Sequence, residues 1–263
     1  MTEPVRLVAT DLDGTLFASG HVVTPRTRAA IVATVAAGIP VVVATGRSQW
    51  TAEPLLLGVA GLDLVVCSNG ASRYSLADRR SLVEHPIGAE VVDEILVSLT
   101  EGLPGCVFGW ETAAGLDYEP GFQDPLHTER RATSPLRRLR QRGAAIRKLL
   151  VAHPELTAHA LLREVRPRLP EACVAACSGA PFVEITGAGV DKAFGIRAVC
   201  ADLGVDAASV LAFGDNDNDV ALLRWAGRSV AMGNARPEVK AVAGDVTATC
   251  DADGVARVLE TLS

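Results

Sequence analysis

No run of eighteen apolar residues occurs anywhere in this chain of 263 residues, so nothing in it reads as a membrane-spanning helix. The opening residues, MTEPVRLVATDLDG, lack the basic head and long apolar stretch of a secretory signal, because Glu3 and Asp11 interrupt them. A cytoplasmic protein without a membrane partner is expected. Positive charge is not in excess either: 25 Lys and Arg stand against 31 Asp and Glu, which gives no general affinity for a phosphate backbone and argues against nucleic acid as partner. Paired cysteines are missing. Cys67, Cys106, Cys173, Cys177, Cys200 and Cys250 are scattered with no CxxC spacing and read as reduced, buried small residues. Cys173 and Cys177 have no second ligand pair nearby, which removes a zinc reading. None of the five histidines, His21, His85, His127, His153 and His159, falls in a motif, and all are expected at the surface. Aromatic residues amount to only 4%; Trp50 and Trp110 are read as packing residues.

What remains is globular: 49% of residues are hydrophobic and 21% charged, and the length suits a core domain with a second one attached. VRLVAT at 5–10 is a short buried strand by its β-branched content. Thr24, Pro25 and Gly38 cap, start and stop a helix over 25–37. IPVVVAT at 39–45 and LDLVVCS at 62–68 continue a strand–helix rhythm that predicts a doubly wound parallel sheet. A polar hairpin follows Gly70. From 85 to 182 a separate α/β layer is expected, with helices at 88–101 and 155–167, strands near 105–118, 145–151, 172–178 and 181–186, and the basic segment RRATSPLRRLRQRG as a solvated helix face. The rhythm resumes with a helix from Asp191 to Leu203, the strand SVLAFGD, a helix at 217–225, the strand SVAMG and two terminal helices. The expected division is therefore a core made of 1–84 and 183–263, with 85–182 inserted.

Three apolar strands end in polar clusters: Asp11 and Asp13; Thr45, Gly46 and Arg47; and Asp215 through Asp219. In an open parallel sheet such ends converge on one site. Convergent aspartates with little sulfur or imidazole are hard-oxygen donors, which suits Mg²⁺. Two carboxylates of different role, a hydroxyl and a lysine around such an ion fit phosphoryl transfer. Asp11 reads as nucleophile and Asp13 as acid and base, presented by the Gly14-Thr15 turn. Thr45 holds phosphate oxygens, and Lys192 at a helix start supplies fixed positive charge. Arg47 either reaches substrate or makes an ion pair, Asn69 either binds substrate or makes its turn, and Asp217 serves as a helix cap.

DLDGTL, ATGR, VDKAFG and GDNDND, in that order, resemble the four motifs of the haloacid dehalogenase (HAD) superfamily of aspartyl-phosphate phosphatases. The Cof-like branch, with a large α/β cap inserted between the second and third motifs, is the nearer match, and the tail from MGNARPEV onward is similar to it too. The resemblance implies an α/β, Rossmann-like core with an inserted α/β cap. It further implies Asp11 as nucleophile, Asp13 as acid/base, and Asp11, the Asp13 carbonyl and Asp215 as Mg²⁺ ligands. Phosphate contacts fall to Thr45, Lys192 and Asn218, with Gly46, Arg47 and Asn69 beside the substrate and Thr15 and Asp219 supporting the metal's surroundings or Lys192. An acid at Asp13 separates phosphatases and mutases from the dehalogenase and P-type ATPase types. The expectation is a phosphatase for a small phosphorylated metabolite, with a phosphomutase or a non-catalytic binder as alternatives.

Overall fold

The computed structural model describes residues 3–123 and 144–262; His127 and the basic segment at 130–143 lie outside them. Two compact units are present, Met1–Val83 with Asp191–Ser263, and Glu84–Val190.

In the first unit β1 (Leu7–Thr10) leads to α1 (Pro25–Ala36), β2 (Val41–Ala44), α2 (Gln49–Leu56) and β3 (Leu64–Cys67). Then β4 (Ser72–Ser75) turns back antiparallel to β3, and β5 (Arg80–Glu84) follows it at the sheet edge. The hairpin expected after Gly70 is this edge. The local chemistry of α1 is as its sequence predicts: the Thr24 hydroxyl accepts the Thr27 N–H at 3.1 Å, Pro25 opens the first turn, and Thr27, Ala30, Ile31 and Thr34 form the buried stripe.

The inserted unit holds α3 (Ala89–Gly102), β6 (Val107–Thr112), β7 (Gly115–Tyr118), β8 (Lys148–Ala152), α4 (Ala158–Val165), β9 (Cys173–Ala176) and β10 (Val183–Gly187). Its strands form a five-stranded antiparallel sheet in the order β7-β6-β8-β10-β9. Strand alternation divides its two faces. Phe108, Trp110, Leu149, Val151, Val183 and Ile185 pack against Val92, Ile95 and Leu99 of α3 and Leu161 and Val165 of α4. The opposite face carries Tyr118, Leu150 and Phe182 together with Glu111, Lys148 and Glu184. Trp110 is a packing residue as expected, whereas Trp50 lies exposed on α2. A return to the core at 183 does not occur: β10 pairs antiparallel with β8 and β9, and the unit ends at Val190. PFVEITG is as apolar as a core strand, and only its partners reveal which sheet it joins.

The first unit then resumes with α5 (Lys192–Leu203), β11 (Val210–Gly214), α6 (Val220–Trp225), β12 (Arg228–Ala231), α7 (Pro237–Lys240), β13 (Asp245–Val246) and α8 (Gly254–Leu259). The sheet order is β13-β12-β11-β1-β2-β3-β4-β5, parallel from β13 to β3. The chain leaves β1 toward β2 and later returns to its other side at β11. With right-handed crossovers this growth in two directions puts helices on both faces. The central strands β1, β2 and β11 are buried throughout, and their carboxyl ends flank the point where the strand order reverses. That point is where a doubly wound sheet opens a crevice. Among the described residues no helix is long and apolar enough to cross a membrane.

Candidate active site

Residue Asp11 follows directly on β1, its N–H donating to Phe213 O of β11 at 3.1 Å, while Asp215 follows on β11 itself. Parallel register therefore brings the two carboxylates side by side. Gly14 makes this approach possible: its φ is +78°, and a Cβ there would stand 2.6 Å from Asp215 Oδ2. The Thr15 hydroxyl donates to Asp215 Oδ1 at 2.9 Å.

The helix α5 brings Lys192 to the same place. Asp191 caps α5 by accepting the Phe194 N–H at 2.7 Å, and its carbonyl is fixed against Gly70, where a Cβ would stand 2.0 Å from Asp191 O. Lys192, fully buried, donates to Asp11 Oδ1 at 2.5 Å and to Asp219 Oδ1 at 2.6 Å. Asp219 Oδ2 accepts the N–H groups of Asp215 and Asn216, each at 3.0 Å. Both oxygens of Asp219 are thus occupied, which makes it a support for Lys192 and for the Asp215 turn, as the sequence suggested. The capping residue of that turn is Asn216, in a reciprocal box with Asp219, and not Asp217.

Asp11, Asp215 and Asp219 place carboxylate oxygens within 4.8 Å of one another. Burial pushes the Asp11 carboxyl well above the ordinary carboxylate range; the Lys192 charge opposes this, and the charges of Asp219 and Asp215 add to it. Burial, then the Asp219 charge, pushes Asp215 up to about 6, with the Thr15 hydroxyl and Lys192 working the other way. Burial alone would lower the Lys192 pKa, but Asp11 and Asp219 outweigh it and hold the ammonium above its ordinary value. The carboxylate oxygens of Asp11 and Asp215 lie within 4.8 Å of each other, so their negative charges oppose one another. A hard divalent cation would offset that repulsion, so this all-oxygen donor set fits a metal ion of the Mg²⁺ kind.

The side chain of Asp13 stands outside this cluster. Arg47 grips it with both arms of its fork, Nε to Oδ2 and Nη2 to Oδ1, each at 2.6 Å. Arg47 is therefore an ion-pair partner of Asp13 in this arrangement rather than a group held toward substrate. Thr45 follows β2, and its hydroxyl accepts the Arg47 N–H at 3.1 Å. Gly46, between them, is buried. Asn69 adopts a left-handed φ of +54° and donates its N–H to Thr45 O at 3.0 Å, so it makes the turn. Its side chain also enters the site, since Asn218 Nδ2 donates to Asn69 Oδ1 at 2.9 Å. Asn218 Oδ1 is buried with no hydrogen-bond partner among the described residues, an unsatisfied polar atom of the kind that a ligand or water completes.

Sequence reasoning missed two neighbours. His21, expected merely at the surface, has its Nδ1 at 3.1 Å from Asp13 Oδ1. Asn234 lies in the MGNA stretch noted for its resemblance but given no role; its Nδ2 donates to Gly14 O at 2.7 Å. Neither has a local signal, because both contacts depend on loops meeting across the fold.

The sequence family described as haloacid dehalogenase-like hydrolase matches residues 8–259. The chain is 28% identical to the HMP-PP phosphatase of Serratia proteamaculans, over 97% of this chain and 94% of that one. It is 26% identical to the pyridoxal phosphate phosphatase YbhA of Escherichia coli, over 97% of each. Among solved structures it is similar to BT1666 of Bacteroides thetaiotaomicron, a phosphatase of the HAD superfamily, with a TM-score of 0.83 and 25% identity over 98% of this chain and 95% of that one. The chain belongs to the haloacid dehalogenase-like hydrolases, in their Cof-like phosphatase branch.

Proposed function

We propose that the protein is a cytoplasmic, Mg²⁺-dependent phosphatase that hydrolyses small phosphorylated metabolites through a phospho-aspartate on Asp11, with the inserted unit as its cap. The observation that carries this reading is the separation of two neighbouring carboxylates into different surroundings: Asp11 buried against Lys192 and Asp215, Asp13 turned to Arg47. Two carboxylates in unlike surroundings take unlike roles.

In the first half of the reaction an Asp11 oxygen attacks phosphorus, the ester P–O bond breaks, and the departing oxygen takes a proton from Asp13. In the second half water attacks the phosphorus of the acyl phosphate, Asp13 accepts the water's proton, and inorganic phosphate leaves with Asp11 restored. Arg47 holds the Asp13 carboxyl with both arms of its guanidinium and so fixes its plane for both proton transfers. Lys192 fixes the Asp11 carboxylate and offers positive charge to the transferring group. Thr45 and Asn218 are the phosphate contacts in this reading, with Gly46 and Asn69 shaping the same wall. The Asp11 and Asp215 carboxylates and the Asp13 carbonyl would hold Mg²⁺, which when bound would supply further charge neutralisation to phosphate oxygens.

Turnover of p-nitrophenyl phosphate with Mg²⁺ and with EDTA tests the proposal. Release of p-nitrophenol that EDTA abolishes is expected. Undiminished release in EDTA contradicts the metal, and no release at all contradicts the hydrolase. A mutase instead gives slow hydrolysis that a sugar phosphate partner outpaces.

A further inference from the structure

Between Thr15 and α1 the chain makes a tight hairpin in which Ala18 bridges Val22, the Ala18 N–H donating to Val22 O at 3.0 Å. Gly20 and His21 occupy its tip with φ of +82° and +58°. A positive φ suits glycine best and is uncommon in other residues, of which asparagine, aspartate and histidine adopt it most readily. The left-handed φ at this position admits a histidine but does not require one.

The imidazole has its own surroundings. Its Nδ1 lies 3.1 Å from Asp13 Oδ1 and 3.2 Å from Arg47 Nη2. It can donate to the first or accept from the second, and either arrangement keeps the same three groups together. The Phe17 ring meets it edge-on, with centroids 6.2 Å apart and planes at 78°. The hairpin is itself anchored from the far end of the chain: Asp251 Oδ1 accepts the Ser19 N–H at 2.6 Å and its Oδ2 accepts the Ser19 hydroxyl at 2.9 Å. Asn234 ties the start of the same stretch, donating to Gly14 O while its Oδ1 accepts the Cys250 N–H at 2.9 Å.

These contacts have a common consequence. The Arg47 fork sets the plane of the Asp13 carboxylate, but it sits on a flexible stem and approaches from one side. The imidazole adds a contact from a separate element, and that element is pinned by Asp251. Backbone strain retained at a residue whose side chain touches the acid/base carboxylate points to a use for that side chain. We propose that His21 is a positioning residue for Asp13, holding its carboxylate, together with Arg47, in the orientation needed for proton transfer, with the Asp251–Ser19 anchor delivering the ring. The proposal rests on the phosphatase reading above.

Its test compares phenyl phosphate with p-nitrophenyl phosphate, which differ little in shape and much in how far the leaving oxygen needs a proton. His21→Gly removes the ring and relieves the backbone. A positioning role predicts a Tm equal to or above that of the wild type, and a kcat/KM ratio, phenyl over p-nitrophenyl, about tenfold below the wild-type ratio. His21→Asn accepts the positive φ and keeps an N–H near the place of Nδ1, so it should hold the ratio within about threefold of wild type. An unchanged ratio in His21→Gly, or an Asn variant as impaired as the Gly variant, overturns the proposal while leaving the phosphatase reading intact. A wild type inactive on both esters, or undiminished turnover by Asp11→Asn, overturns that reading and this proposal with it.

Discussion

The first unit gathers three carboxylates around one buried ammonium, with Lys192 between the buried Asp11 and Asp219 and the half-buried Asp215 alongside. The inserted unit buries Glu111 and Glu184 against Arg147 and Lys148: Lys148 meets Glu184 at 2.7 Å and Glu111 at 3.8 Å, and Arg147 meets Glu111 at 3.4 Å and the rim residue Glu84 at 3.2 Å. Both clusters lie at the ends or on the faces of sheets, and both are largely buried. The second balances its buried core charge for charge. The first is short of positive charge, and burial together with the neighbouring carboxylates pushes the Asp11 and Asp215 carboxyls above their ordinary range. A buried excess of one sign is costly unless a ligand corrects it, so under the proposed function the unbalanced cluster is the one suited to a cation and chemistry, and the balanced one to structure.

The same acid-to-amide substitution should therefore act in opposite ways in the two places. Asp11→Asn is expected to lower turnover of p-nitrophenyl phosphate by about 10⁴-fold or more with the fold retained, since it deletes the nucleophile. Substantial residual turnover would make the first cluster structural after all. Asp13→Asn is expected to cost about 10²- to 10⁴-fold on phenyl phosphate and much less on p-nitrophenyl phosphate, a split that kcat/KM measurements reveal. Equal losses would count against Asp13 as acid.

Glu184→Gln, by contrast, should destabilise the protein by about 2–3 kcal/mol in urea unfolding, because Lys148 loses its shortest ion pair while buried. A stability unaffected by this change would remove the distinction between the clusters. The smallest effect is one of pH. Without metal, Asp215 titrates near 6 in the folded protein against an ordinary value of 3.8. Between these values the folded state keeps a proton that the unfolded state has released, so this contribution to stability is present at low pH and is lost as pH rises through about 6. In EDTA the unfolding midpoint of the wild type should therefore fall more between pH 5 and 7, roughly spanning that titration, than the midpoint of Asp215→Asn. A steeper fall in the variant would reverse the sign.

Much of this was legible in the sequence because the decisive residues sit where a parallel sheet must bring them together. Asp11, Thr45 and Asp215 each follow a short apolar strand, and register does the rest. Lys192 could be placed because Asp191 announces a helix start. The end of the insertion could not, since Val183–Gly187 differs from a core strand only in its antiparallel partners. β13, two residues long and exposed, offers no hydrophobic pattern. Arg47 illustrates the limit for side chains: its position beside the site was readable, but its choice of Asp13 over a ligand is a matter of geometry. His21 and Asn234 depend on loops that meet from distant parts of the chain, which no local pattern encodes.

The central claim is that Asp11 carries the phosphoryl group. Wild-type protein acid-quenched during turnover of p-nitrophenyl phosphate in Mg²⁺, then digested and read by mass spectrometry, tests it most directly. A phosphoryl group on the peptide containing Asp11, absent from Asp11→Asn, is the predicted result; turnover with no phosphorylated peptide, or with the group on another residue, contradicts it.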